Sequence, residues 1–214
     1  MPEGAPASAQ KCYCEPCTRT LDLPHSEIAR IAAAFVHGVQ TSGVAAIAKH
    51  FPGFPVLEHD PAAKDTAVGA KGWSTKTLTP FKAVVNAGVS RMMVGPDIVE
   101  AVDPTAPTTA SSITVRASQE DLGFRGVVGS DDLDSPATAR GRAPAETALA
   151  SLLAGADRLL IPGGDEVATV AKSLAAAAVR NPIVGERLRN AANRVRALVN
   201  ATDLCDFPGK QKRG

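Results

Sequence analysis

The chain has 214 residues, with 23 Lys and Arg set against 22 Asp and Glu for a formal net charge of +1. Such a length suits one domain with a real core and is short for two of ordinary size. A near-neutral charge gives no electrostatic case for nucleic acid or an anionic membrane as partner, and no apolar run approaches the roughly 20 residues that cross a bilayer.

Residues 1–18 read as an irregular arm, rich in Pro and Ala and without periodicity. Met1 to Gln10 has neither the basic start nor the apolar stretch of a secretory signal, so the expectation is cytoplasmic by that absence alone and the location stays open. Cys12, Cys14 and Cys17 form a C-x-C-x-x-C cluster with His25 nearby. Its spacing is not that of a standard zinc site, and the reading is reduced thiols with no metal.

Ile28, Ile31, Ala32, Phe35, Val36 and Val39 recur at steps of three and four, which predicts an amphipathic helix from Ser26 to near Gly43. Val44 to Ala48 then reads as a short strand running into Lys49-His50-Phe51-Pro52-Gly53. A basic pair at a strand end, closed by Pro and Gly, is a candidate site. Phe54 to Thr75 is a long mixed loop holding Glu58-His59-Asp60, and loops of that length inside a compact domain are usually functional or disordered. A helix around Leu78 to Val85, a strand over Val89 to Val94 and a short helix over Val115 to Leu122 follow.

The centre of the chain is Gly126-Val127-Val128-Gly129-Ser130-Asp131-Asp132-Leu133-Asp134, a short β-branched run ending in three carboxylates. It reads as a buried parallel strand whose C-terminal end delivers acid groups to a cleft, the place where α/β enzymes bind ligands. A solvated acidic turn is the plainer reading of the same residues. A helix over Ala145 to Ala154, a last strand over Ala156 to Ile161 and two further helices complete residues 19–200, and residues 201–214 form a basic tail. Strands alternating with helices, each strand stopping in a polar turn, predict a parallel sheet with its functional groups on one rim, hence a (β/α) barrel or part of one.

Lys49-His50-Phe51-Pro52-Gly53, Ser130-Asp131-Asp132-Leu133-Asp134 and Ala154-Gly155-Ala156-Asp157-Arg158-Leu159-Leu160-Ile161-Pro162, in that order, resemble the N-terminal catalytic domain of glycoside hydrolase family 3. Within it the chain looks most similar to the β-N-acetylhexosaminidase branch, and the resemblance runs from about Arg19 to Val199. It implies retaining hydrolysis of terminal β-linked sugars, of hexosaminidase or β-glucosidase type, with no cofactor. Asp131 would be the nucleophile, and Lys49 and His50 would hold the sugar hydroxyls. Arg19 lies near where the family has an arginine that also grips the sugar.

Two departures accompany the resemblance. The branch carries an Asp-x-His pair as acid/base in the loop after the Lys-His pair, and no pair at that spacing exists here; His59, between Glu58 and Asp60, is the candidate that remains. The motifs match the fifth to eighth strands of a barrel that takes about 250 residues when complete. The expected fold is therefore the C-terminal half of a TIM-type barrel, about four parallel strands, with self-association or a complementing chain covering its open face. The rival function is a catalytically silent homologue or a glycan-binding module. A third, weaker reading takes Pro162-Gly163-Gly164-Asp165 as a phosphate cradle, against which Asp165 and Glu166 argue by repulsion.

Overall fold

A computed structural model describes residues 21, 23–53, 60, 61, 63–70 and 73–201. The arm 1–18, Arg19, His59, the cysteines and the tail beyond Ala201 lie outside the described residues.

Helix α1 (His25–Thr41) leads into strand β1 (Ile47–Phe51), and the chain continues through β2 (Ala67–Val68), a 3-10 turn (Thr75–Leu78), α2 (Thr79–Asn86), β3 (Arg91–Val94) and β4 (Ile98–Val99). Then come a second 3-10 turn (Thr108–Ala110), α3 (Ser112–Glu120), β5 (Val127–Asp132), α4 (Pro136–Ala139), α5 (Pro144–Ala154), β6 (Arg158–Leu160), α6 (Gly164–Arg180) and α7 (Pro182–Ala201). The order β1-β3-β5-β6 forms one four-stranded sheet, and every pairing in it is parallel. A small parallel pair, β2 with β4, ties the loop after β1 to the loop after β3. No helix among the described residues is long and apolar enough to cross a membrane.

Alternation along the strands sorts the side chains into two faces. Met92, Val94 and Val128 are fully buried on the outer face, where Val84, Val36 and Phe124 join them in one apolar core under the helices. Phe51 meets Phe81 of α2 edge-on, with ring centroids 5.3 Å apart. A second core, built from Leu133, Leu152, Val170, Leu174 and Val184, holds α5, α6 and α7 against the C-terminal part of the sheet. Among the described residues the inner face has no such cover.

The first strand lies three residues later than Val44 to Ala48, the span its apolar run predicts. Val44 is 59% exposed, while Ala48 pairs with Met92 and Phe51 with Val94, because register follows the best burial for the whole ladder. Lys49 and His50 consequently sit inside the strand. A short helix, α4, fills the segment between the central strand and the helix predicted over Ala145 to Ala154.

At the base of the sheet the buried Asp157 accepts the Val128 N–H at 3.1 Å and pairs with Arg187 at 2.7 Å and Arg194 at 3.6 Å. One carboxylate thereby fastens α7 to the central strand. Gly155 makes the preceding turn at φ +120°, and a Cβ there would stand 2.7 Å from Val115 Cγ1, so only glycine suits the position.

Candidate active site

The C-terminal ends of β1, β3 and β5 present their side chains at one rim. In β5, Ser130 is buried and its Oγ accepts the Leu160 N–H at 3.0 Å, which fixes the end of the strand against β6. The next residue, Asp131, is thereby turned to the rim. Its Oδ1 accepts the Asp132 N–H at 2.8 Å, and its Oδ2 lies 3.2 Å from His50 Nε2. Both side chains keep partial exposure, 28% for His50 and 19% for Asp131, so the pair is open to a ligand.

The two residues come from strands that are not neighbours, since β3 runs between β1 and β5. The register irregularity between Ala48 and Phe51 lets His50 reach across. Lys49, one residue earlier, is exposed and makes no ion pair with Asp131 among the described residues. Thus the predicted His50 and Asp131 are brought into contact, Lys49 precedes His50 on β1, and Arg19 and His59 fall outside the described residues.

Further carboxylates ring this pair. Asp97, three residues beyond β3, is completely buried, and among the described residues neither of its carboxyl oxygens has a hydrogen-bond partner. Burial, reinforced by the charges of Asp131, Asp65 and Asp60, pushes Asp97 up to about 7, so it is largely a neutral acid below neutrality. The Asp132 carboxyl is likewise pushed up to about 7, first by burial and then by Asp134. Asp65 pairs with Arg140 in the loop after α4, which joins the loop following β1 to the one following β5. Gly53, at φ +96°, closes the turn after His50, and a Cβ there would meet Thr77 Cγ2 at 2.4 Å.

Asp97 lies just beyond the strand that the sequence predicts over Val89 to Val94 and is not among its candidate site residues. A carboxylate three residues after the end of a parallel strand lies near the binding rim, but its burial is a property of packing that the sequence does not carry. Among the described residues no group of three or more His, Cys, Asp or Glu is arranged to hold a metal ion.

A parallel (β/α) sheet with a carboxylate and a histidine in contact at the carboxyl rim of its strands is part of a TIM-type barrel, the rim at which such barrels bind ligands. The chain matches the model of the glycosyl hydrolase family 3 N terminal domain over residues 21–198, and it belongs to that family. Among relatives, it is 32% identical over 137 residues to a β-hexosaminidase of Nitrosomonas eutropha, a match covering 63% of this chain and 39% of that protein. A β-hexosaminidase of Vibrio cholerae is 31% identical over 138 residues, covering 64% and 42% respectively.

The solved β-N-acetylhexosaminidase of Beutenbergia cavernae superposes with a TM-score of 0.74 at 26% identity, over 84% of this chain and 53% of that one. A family 3 β-N-acetylglucosaminidase from Paenibacillus gives 0.76 at 28% identity, over 86% and 36%. The chain therefore spans about two fifths of the length of the curated relatives it matches.

Proposed function

We propose that this chain carries the nucleophile half of a retaining β-glycosidase site, acting on terminal β-linked sugars of the N-acetylhexosamine type. The observation that carries this reading is the His50 Nε2 to Asp131 Oδ2 contact of 3.2 Å at the rim of the sheet. Family membership and the hexosaminidase relatives support the substrate class.

In this reading an Asp131 carboxylate oxygen attacks the anomeric carbon, forming a C–O ester bond as the bond to the leaving oxygen breaks. The leaving oxygen takes a proton from an acid/base group, for which His59 is the proposed candidate. Water, giving its proton back to that group, then hydrolyses the glycosyl-enzyme. The Asp132 N–H donates to Oδ1 and so fixes the carboxylate plane, while His50 and Lys49 hold sugar hydroxyls. Incubation with an activated 2-fluoro-N-acetylglucosaminide followed by peptide mass spectrometry tests the covalent step. A mass increment on Asp131 is expected, and an unlabelled Asp131 peptide overturns it.

One observation favours the rival reading, a glycan-binding or catalytically silent module: no Asp-x-His pair follows the Lys49-His50 motif. Calorimetry with N-acetylglucosamine beside hydrolysis of its aryl glycoside separates the two. Binding without turnover assigns the module; turnover that Asp131→Asn abolishes assigns the hydrolase.

A further inference from the structure

Asp97 is a buried acid that the proposed chemistry does not use, and it stands where the His50–Asp131 contact is made. Strand β3 runs between β1 and β5, and Met93 pairs with Gly129, so the chain leaving β3 runs on beside Ser130 and Asp131. Gly95 stays on the sheet by donating its N–H to the Phe51 carbonyl at 2.9 Å, and the Asp97 carbonyl accepts the Thr108 N–H at 2.9 Å. The Asp97 backbone is thus pinned just past the strand that His50 crosses to reach Asp131.

A carboxyl that is wholly buried, with neither oxygen partnered among the described residues, has little to stabilise its ionised form. The charges that weigh on it most are Asp131 of β5, then Asp65 and Asp60 of the loop after β1, and all three are negative. Two basic groups of the rim are engaged elsewhere, since Arg140 pairs with Asp65 and His50 lies against Asp131. Of these carboxylates, Asp131 is the one whose charge the proposed reaction removes, because attack on the anomeric carbon turns it into a neutral ester. Two like charges in one desolvated site oppose each other, so removing one lets the other form.

We propose that Asp97 is a positioning residue that works through Asp131: the two carboxyls carry one negative charge between them, held on Asp131 in the free protein and passed to Asp97 when Asp131 is esterified. Glycosylation consumes the Asp131 carboxylate as its new C–O bond forms, and Asp97 then loses its proton to solvent. Hydrolysis breaks that bond, restores the Asp131 carboxylate and returns a proton from solvent to Asp97. A carboxylate at Asp97 is thereby present while positive charge develops on the sugar and the ester breaks. The coupling of the two carboxyls needs no substrate, whereas its use in catalysis rests on the glycosidase reading.

Carbon-13 NMR of the aspartate carboxyls across the acid and neutral range tests the coupling, with Asp97→Asn identifying the Asp97 resonance. Asp131→Asn stands in for the uncharged ester and is expected to lower the Asp97 midpoint by ~1 unit, the size of a like-charge effect between neighbouring carboxyls, while Asp65→Asn lowers it less. In the unsubstituted protein the Asp131 resonance is expected to show a second step at the Asp97 midpoint, and that step vanishes in Asp97→Asn. This second reading stands even where Asp131→Asn fails to fold. Protein labelled on Asp131 by the fluorosugar should show the same lowered Asp97 midpoint as Asp131→Asn. An Asp97 midpoint unmoved by Asp131→Asn, or an Asp131 resonance with no step that depends on Asp97, overturns the proposal. An unlabelled Asp131 counts against the glycosidase reading instead, and the two titrations still decide the coupling.

Discussion

Asp97→Asn replaces a buried, unpartnered carboxyl by an amide of the same shape, and its effect on stability depends on pH in a calculable way. The group rises from 3.8 in the unfolded chain to about 7 in the folded one, under burial and the charges of Asp131, Asp65 and Asp60. An acid whose folded pKa is raised binds more protons in the folded state across that window, so stability falls as pH climbs from about 4 to about 7 and is flat above. At 1.36 kcal/mol per pKa unit, ionising Asp97 inside the protein costs about 4 kcal/mol by pH 8. The side chain is fully buried, so solvent screening takes little from that order-of-magnitude figure. The Asn variant never ionises and escapes the loss. Urea unfolding of both proteins at pH steps from 4 to 8 measures the effect. The variant's advantage should grow by about 4 kcal/mol across the series, while Asp132, titrating in both proteins, cancels in the difference. Stability curves that run parallel through this range would refute the assignment of Asp97 as a neutral acid.

His50→Ala removes the side chain lying 3.2 Å from the Asp131 carboxylate and should lower kcat/KM on an aryl N-acetylglucosaminide by ~100-fold or more, read from initial rates with unfolding profiles as control. Asp157→Ala leaves the Arg187 guanidinium half-buried without its carboxylate, and the Val128 N–H without an acceptor; denaturant titration should show a loss of about 3–5 kcal/mol. Gly126→Ala would place a Cβ 2.3 Å from the Ser90 carbonyl oxygen, a backbone atom that cannot swing aside, so thermal unfolding should show about 1–3 kcal/mol of destabilisation. Ser130→Ala removes the acceptor of the Leu160 N–H in a buried setting and should cost about 1–2 kcal/mol by the same measurement, with a larger fractional loss of activity than of stability if Ser130 orients Asp131.

Much of the architecture was legible in the sequence because its signals are local. The three-and-four spacing of Ile28, Ile31, Phe35 and Val39 set α1, and the β-branched run Val127-Val128 ending in Ser130-Asp131-Asp132 set β5 and the rim it serves. Alternation of strand and helix then implied parallel pairing, since a parallel neighbour requires a crossover. His50 and Asp131 stood out as chemistry-bearing residues at strand ends, and they meet.

What only the tertiary structure decided concerns registry and desolvation, which depend on residues far apart in the chain. The apolar run Val44 to Ala48 could not reveal that the strand pairs as Ile47–Phe51, because the choice is made by Met92 and Val94 on another strand. Nothing around Asp97 in sequence distinguishes it from a solvated turn aspartate; the loops that bury it and the Asp131 charge beside it come from elsewhere. Arg91 and Arg158 lie 67 positions apart, and only the shared face of β3 and β6 brings them to line one recess. Local pattern decides which elements form and where chemistry can sit, whereas the cost of a charge depends on what surrounds it, and that is set when the strands align.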